Sequence, residues 1–253
     1  MNKLNRIVSA FALSFAAIGA QAATPAPVKS VVLVHGFFAD GSGWRGVADI
    51  LARDGYNVSV VQQPETSLAE DVKATTRAVD ALPGPSILVG HSYGGMVITE
   101  AGNDPKVAGL VYVAAFQPQA GESLKDLADR MPPATPGIKA TADGHLYFDA
   151  ALFHGDFAAD LPAADARFMA LSQVTPAVQA ATAAVSRAAW KTKPSWAIVS
   201  RDDRTVNPDL ERFMARRAGS TTVEIAGSHV AFIANPAQVA QVIEQAAAAA
   251  GAK

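Results

Sequence analysis

The sequence predicts an α/β protein built on a mostly parallel sheet with helices on both faces. Three observations carry this: short apolar runs without alternation, helical-period segments between them, and 253 residues, half of them hydrophobic, which is enough for one sizeable core. A strand buried on both faces has no solvent side, so it reads as a continuous β-branched run rather than as alternating apolar and polar residues.

The elements follow in order. After a Pro-containing linker at Thr24–Lys29, SVVLV (30–34) is the first such strand. WRGVADILARDG (44–55) has apolar residues at helical spacing and stops at Gly55. YNVSVVQQP (56–64) reads as the second strand. SLAEDVKATTRAVDAL (67–82) opens with Ser67 and Glu70 at capping-box spacing and continues as an amphipathic helix. PSILVG (85–90) is the third strand, Tyr93–Asn103 a helix, and KVAGLVYVAA (106–115) the fourth strand. The alternation then lapses. Phe116–Lys193 holds MPPATPG, DGHLYFD and an Ala-rich helical stretch near Asp160–Trp190, with no clear buried strand. A mainly helical cap insertion over about 117–193 is expected. Alternation resumes with PSWAIVS (194–200), helix PDLERFMARRAG (208–219), strand TTVEI (221–225) and a last helix from Pro236 to about Ala249.

Composition narrows the function classes. A net charge of −2 argues against a nucleic-acid partner or an anionic membrane surface, both of which need clustered Lys and Arg. The absence of cysteine excludes disulfides, thiolate catalysis and Cys-based zinc or iron–sulfur sites, and no metal is expected. The N-terminus has Lys3 and Arg6, the uncharged apolar run IVSAFALSFAAIG, then AQAA. This is the pattern of a secretory signal peptide over residues 1–22, cleaved near Ala22. The run is shorter than the roughly 20 residues of a membrane span, and stable membrane insertion is not expected after cleavage. Cleavage removes two bases and no acid, leaving 19 bases against 23 acids, a net charge of −4. The mature chain, 23–253, is expected to be one exported domain, periplasmic or secreted.

The chemistry centres on Gly90-His91-Ser92-Tyr93-Gly94, a G-x-S-x-G pattern between a strand and a helix. A sharp strand-to-helix turn strains the serine backbone and leaves no room for neighbouring side chains, which Gly90, Gly94 and Gly95 avoid. It also aims the first free N–H groups of the helix at whatever reacts there. A serine hydroxyl needs a base to become nucleophilic. Of the five histidines, His91 adjoins the serine and should point away, His35 suits loop shaping, and His145 and His154 fall in the insertion. His229, just past the last strand, lies at the carboxyl edge where ligands bind in such sheets. Its acidic partner should follow an earlier strand, and SRDDRTVNP offers Asp202 and Asp203.

Over essentially its whole mature length the chain resembles the α/β-hydrolases. VLVHGFFADGSGW, LVGHSYGG, SRDDRTVNP and GSHVAFIANP fall in that family's order and spacing. The likeness is to compact bacterial esterase-like hydrolases and to the plant methylesterase and hydroxynitrile lyase branch. It implies Asp203 rather than Asp202 as the acid, hence Ser92, Asp203 and His229 as nucleophile, acid and base. It further implies an oxyanion hole from the backbone N–H groups of Phe37 and Tyr93. Two positions depart from the hydroxynitrile lyases: Val230 replaces their lysine after the catalytic histidine, and Gly36 their threonine after the loop histidine. Both favour ester hydrolysis. Ser92 at the elbow argues against epoxide hydrolase and dehalogenase chemistry, which uses a carboxylate there.

The expected function is therefore hydrolysis of a small, largely apolar carboxylic ester, with no cofactor and no partner beyond that ester. Lactonase, amidase or perhydrolase chemistry, and slow-turnover ligand reception, use the same residues and remain alternatives. An apolar pocket is expected from Gly36, Phe38, Phe116, Phe153, Phe157, Trp190 and Val230, with Phe148, Phe168 and Met169 as further candidates from the insertion.

Overall fold

The apolar runs form the middle of a six-stranded sheet in a computed structural model that describes residues 28–251. The first half of the chain contributes β1 (Ser30–Val34), α1 (Arg45–Arg53), β2 (Asn57–Val61), α2 (Leu68–Ala81), β3 (Ser86–His91), α3 (Gly94–Ala101) and β4 (Val107–Val113). An insertion follows with α4 (Leu124–Arg130), β5 (Ile138–Ala140), β6 (Leu146–Phe148), α5 (Ala150–Asp156), α6 (Ala163–Ser172) and α7 (Val178–Thr182). The chain then returns through β7 (Ser195–Ser200), α8 (Pro208–Ala218), β8 (Thr221–Ile225), α9 (Ala231–Ala234) and α10 (Pro236–Gly251). The proposed signal peptide lies outside the described residues, among which no helix is long and apolar enough to cross a membrane.

Strand order is β2-β1-β3-β4-β7-β8, parallel throughout. The β-branched runs take the inner places: every residue of β1, β3 and β7 is buried, whereas the edge strand β2 is mostly half-buried and the edge strand β8 largely exposed. Helix ends follow local chemistry. The Ser67 hydroxyl accepts from the Glu70 N–H at the start of α2. Asn207 caps α8, Pro208 opens it, and Gly219 ends it at φ +66°.

The insertion differs in detail from its expected form. DGHLYFD belongs to a short antiparallel hairpin, β5–β6, and the Ala-rich stretch is broken into α6 and α7. Pro162 and Pro176, which lack an N–H and cannot continue a helix, bound the two pieces. Composition signalled helix; two prolines decided where it stops.

In-register parallel pairing brings the strand ends to one edge, with Val34 beside Gly90, Gly90 beside Tyr112, and Ser200 beside Ile225. Among the described residues, the four non-glycine residues with positive φ lie shortly after four successive strands there: Phe38, Glu65, Ser92 and Ala114. Each such conformation costs about 1–3 kcal/mol, so backbone strain is concentrated at the edge where ligands bind in parallel sheets.

Candidate active site

Ser92 follows β3 at φ +53°, in a turn stitched to both neighbouring segments. Its N–H donates to the Val113 carbonyl, and its own carbonyl accepts from Gly95 and Phe116. The turn is possible because α3 starts hard against the β4 exit: a Cβ on Gly95 would stand 2.0 Å from the Phe116 carbonyl oxygen. Backbone cannot retreat as a flexible side chain can. Gly95→Ala is therefore expected to destabilise the fold by about 3 kcal/mol, read as a lower urea midpoint at unchanged slope.

The loop after β1 lies directly on the serine, since a Cβ on Gly36 would come within 2.5 Å of Ser92 Cβ. Phe37 and Tyr93 are buried, and their rings stack at 3.9 Å between centroids. Neither backbone N–H donates to another described residue. Buried backbone donors are nearly always paired, so two left free near one hydroxyl are fitted to donate to an anion.

Asp203 and His229 meet on the loops after β7 and β8. The His229 Nδ1 to Asp203 Oδ2 distance is 2.6 Å, and both side chains are fully buried. Asp203 Oδ1 accepts from the Thr205 and Val206 N–H groups, which fixes the carboxylate. With Nδ1–H held by the acid, His229 Nε2 carries the lone pair, and it finds no hydrogen-bond partner among the described residues. Asp202 points elsewhere: it is exposed, and its carboxylate accepts from the Gly227 N–H. His91 is buried and held well below its usual pKa, chiefly by burial and then by His229. Neutral His91 donates from Nε2 to the His229 carbonyl at 3.0 Å, tying the histidine loop to the residue before Ser92.

Sequence reasoning missed the residues that hold these loops in place. Asp160, from the insertion, accepts from both the N–H and the hydroxyl of Ser228. The carboxylate of Asp156, at the end of α5, binds Arg204, and its carbonyl accepts from the Thr205 hydroxyl. One corner of the insertion therefore clamps both the Asp203 and His229 loops. Glu211, which reads as a solvated helical acid, is buried. Desolvation, and then the charge of Asp203, push its pKa well above the carboxylate range. Only the fold could reveal these pairings, because each joins distant segments.

A small cavity of about 70 Å³ opens onto Ser92 and is lined by Phe37, Phe38 and Phe116, and by Leu124, Ile138 and Leu146 of the insertion. A larger one of about 200 Å³ is lined by Val230, Phe168 and Met169 and does not include Ser92. Phe157 stacks edge-on against His229 and backs the site rather than lining either cavity. Phe148 and Phe153 are fully buried beside it as packing. Trp190 also falls outside the pocket. Its indole N–H donates to the Pro118 carbonyl, joining the two ends of the insertion, and its ring lies near Arg217 of α8.

Comparison with known proteins agrees with this architecture. The model of the alpha/beta hydrolase family matches residues 31–242. A carbendazim hydrolyzing esterase of Nocardioides sp. (strain SG-4G) is 35% identical over 151 residues, which is 54% of this chain and 61% of that protein. This chain thus matches less than two thirds of that relative's length. An alpha/beta hydrolase of Aspergillus novofumigatus is 25% identical over 86% of this chain and 96% of its own. Among solved structures, a pyrethroid hydrolase from Sphingobium faniae JZ-2 superposes with a TM-score of 0.74 at 21% identity, covering 87% of this chain and 97% of that one. A methylesterase from Arabidopsis gives 0.72 at 17% identity, covering 87% and 98%. With the family model spanning all six strands, the chain belongs to the alpha/beta hydrolase family.

Proposed function

We propose that the protein is a serine carboxylic-ester hydrolase in which Ser92, His229 and Asp203 form the catalytic triad. One observation carries the reading: a buried histidine beside the serine turn has Nδ1 bound to a carboxylate and Nε2 free. The similar proteins are named a carbendazim hydrolyzing esterase, a pyrethroid hydrolase and a methylesterase, which supports a carboxylesterase-like enzyme. The lining of the Ser92 cavity is apolar and its volume small, which favours a small, largely apolar ester.

Ser92 Oγ attacks the ester carbonyl while His229 Nε2 takes its proton. Asp203 keeps His229 in the required tautomer and stabilises the imidazolium. The charge on the carbonyl oxygen is met by the N–H groups of Phe37 and Tyr93, each worth a few kcal/mol in the transition state. The tetrahedral intermediate collapses, His229 returns the proton to the departing alcohol, and an acyl-enzyme remains. Water, deprotonated by His229, repeats the sequence and frees the acid. No step calls for a metal or organic cofactor. The charged, apolar and small-residue pattern of residues 1–22 supports export of the mature enzyme.

A fluorophosphonate should label the purified protein at Ser92, and p-nitrophenyl acetate should turn over repeatedly. Labelling with a single burst and no turnover would instead indicate a receptor. Preferred hydrolysis of lactones or amides in a panel of matched compounds would reassign the substrate class.

A further inference from the structure

The residues flanking the proposed oxyanion donors continue into a buried polar chain that touches neither cavity. His35 precedes Gly36 and Phe37. Its carbonyl accepts from the Gln63 side chain at 2.6 Å, and its Nε2 accepts from the Gln63 N–H at 3.1 Å. The remaining ring proton therefore sits on Nδ1, 3.0 Å from the Gly36 carbonyl and 3.4 Å from Glu65 Oε1. Glu65, at φ +52°, donates its backbone N–H to Asp71 Oδ1 at 2.8 Å. The other Asp71 oxygen accepts the Tyr93 hydroxyl at 2.6 Å. All these side chains are buried, and the Phe37–Tyr93 ring stack closes the circuit.

We propose that His35, Glu65 and Asp71 are positioning residues for the oxyanion site, joining the backbone before Phe37 to the far end of Tyr93 and so fixing the spacing of the two N–H donors. This rests on the acyl-transfer reading above. Bonds of this strength are not needed merely to hold α2 to the sheet, where apolar contact suffices. Burying two carboxyl groups in one cluster is costly unless they gain specific contacts. Asp71 gains the Glu65 N–H and the Tyr93 hydroxyl, while the Glu65 carboxyl has no hydrogen-bond partner among the described residues and faces the His35 ring at 3.4 Å, beside the segment that leads to Phe37.

The ionisable groups of the cluster are few. Glu65 faces the His35 ring and the Asp71 carboxylate; Asp40 acts on His35 and Glu70 on Asp71 from further away. Burial pushes the Glu65 carboxyl up to about 7, against partial relief from His35. Burial opposes charge on His35, while Glu65 draws its pKa up. With Nε2 occupied by the Gln63 N–H, the proton taken up near neutrality resides on Glu65. Its folded pKa exceeds the ordinary 4.5, so its stabilising effect is complete below pH 4.5 and is lost as pH rises through about 7.

The test uses Tyr93→Phe, Asp71→Asn and Glu65→Gln in the full enzyme. Each is assayed with p-nitrophenyl acetate and with a trifluoromethyl ketone. Ser92 Oγ adds to the ketone carbonyl, its proton passes to His229, and the ketone oxygen becomes the anion. Tyr93→Phe keeps the backbone N–H and the ring, losing only the bond to Asp71. Tyr93→Phe and Asp71→Asn should each lower kcat about tenfold with KM within about twofold, and raise the ketone Ki by a similar factor. The double variant should fall no further than the worse single variant, because both remove one bond. Glu65→Gln should gain Tm relative to the parent as pH rises from 5 to 8.5, the opposite of simple packing damage. Lower Tm with unchanged kcat and Ki in all three variants, while Ser92→Ala is inactive, overturns the positioning role alone. Activity in Ser92→Ala overturns the underlying reading. Should Asp71→Asn fail to fold, Tyr93→Phe decides.

Discussion

Ser92→Ala is expected to lower kcat for short p-nitrophenyl esters by about 10⁵-fold or more while leaving the far-UV circular dichroism and Tm close to those of the parent. The size follows from the role of the hydroxyl: without it there is no acyl-enzyme, and water would have to attack directly. The residual rate should exceed that in buffer, since the Phe37 and Tyr93 N–H groups and His229 would still polarise a bound ester. The preserved fold follows from the turn. Its hydrogen bonds run through the backbone of Ser92 to Val113, Gly95 and Phe116, and alanine retains every one. Alanine at φ +53° carries a strain comparable to that of serine. Retained turnover in this variant would remove Ser92 from the mechanism. Loss of activity together with loss of fold would point to the turn rather than the hydroxyl, and the circular dichroism spectrum distinguishes the two.

Much of this architecture was legible because parallel sheets write themselves into sequence. SVVLV, SILVGH and SWAIVS have no polar face, and the structure buries all three on both sides. The G-x-S-x-G turn was legible because close backbone contact admits only glycine: a Cβ on Gly90 would stand 2.5 Å from the Gly94 carbonyl oxygen. Family resemblance distinguished Asp203 from Asp202, which local pattern alone left open. The structure separates them by burial, with Asp202 exposed and Asp203 inside. The insertion was much less legible. Its phenylalanines and Trp190 looked like pocket candidates, yet Phe153 and Trp190 pack or anchor while Leu124, Ile138 and Leu146 line the Ser92 cavity. Hydrophobicity says that a side chain is buried and not against what. The buried acids Glu65, Asp71 and Glu211 were hidden for a related reason. An acid on a helix or a loop reads as solvated unless its surroundings are known, and those come from other segments.

Asp203→Asn should reduce kcat by about 10⁴-fold, whereas Asp202→Asn should stay within about threefold of the parent. The two residues are adjacent and chemically identical, so the contrast isolates geometry. Asparagine at 203 would still accept the Thr205 and Val206 N–H groups through its side-chain oxygen, keeping the loop in place. It would, however, turn its NH₂ group toward His229 Nδ1. A donor there demands a lone pair on Nδ1, which moves the ring proton to Nε2, the nitrogen that must be free to accept from Ser92. The imidazolium formed during attack would also lose its counter-charge in a site where both side chains are fully buried. Asparagine at 202 keeps an oxygen to accept the Gly227 N–H, and its charge is already in water. The predicted signature of Asp203→Asn is therefore an unchanged Tm with a collapsed kcat that recovers partly at high pH, where hydroxide supplies a base. Equal losses in both variants would mean that the loop, and not the Asp203–His229 pair, governs the rate.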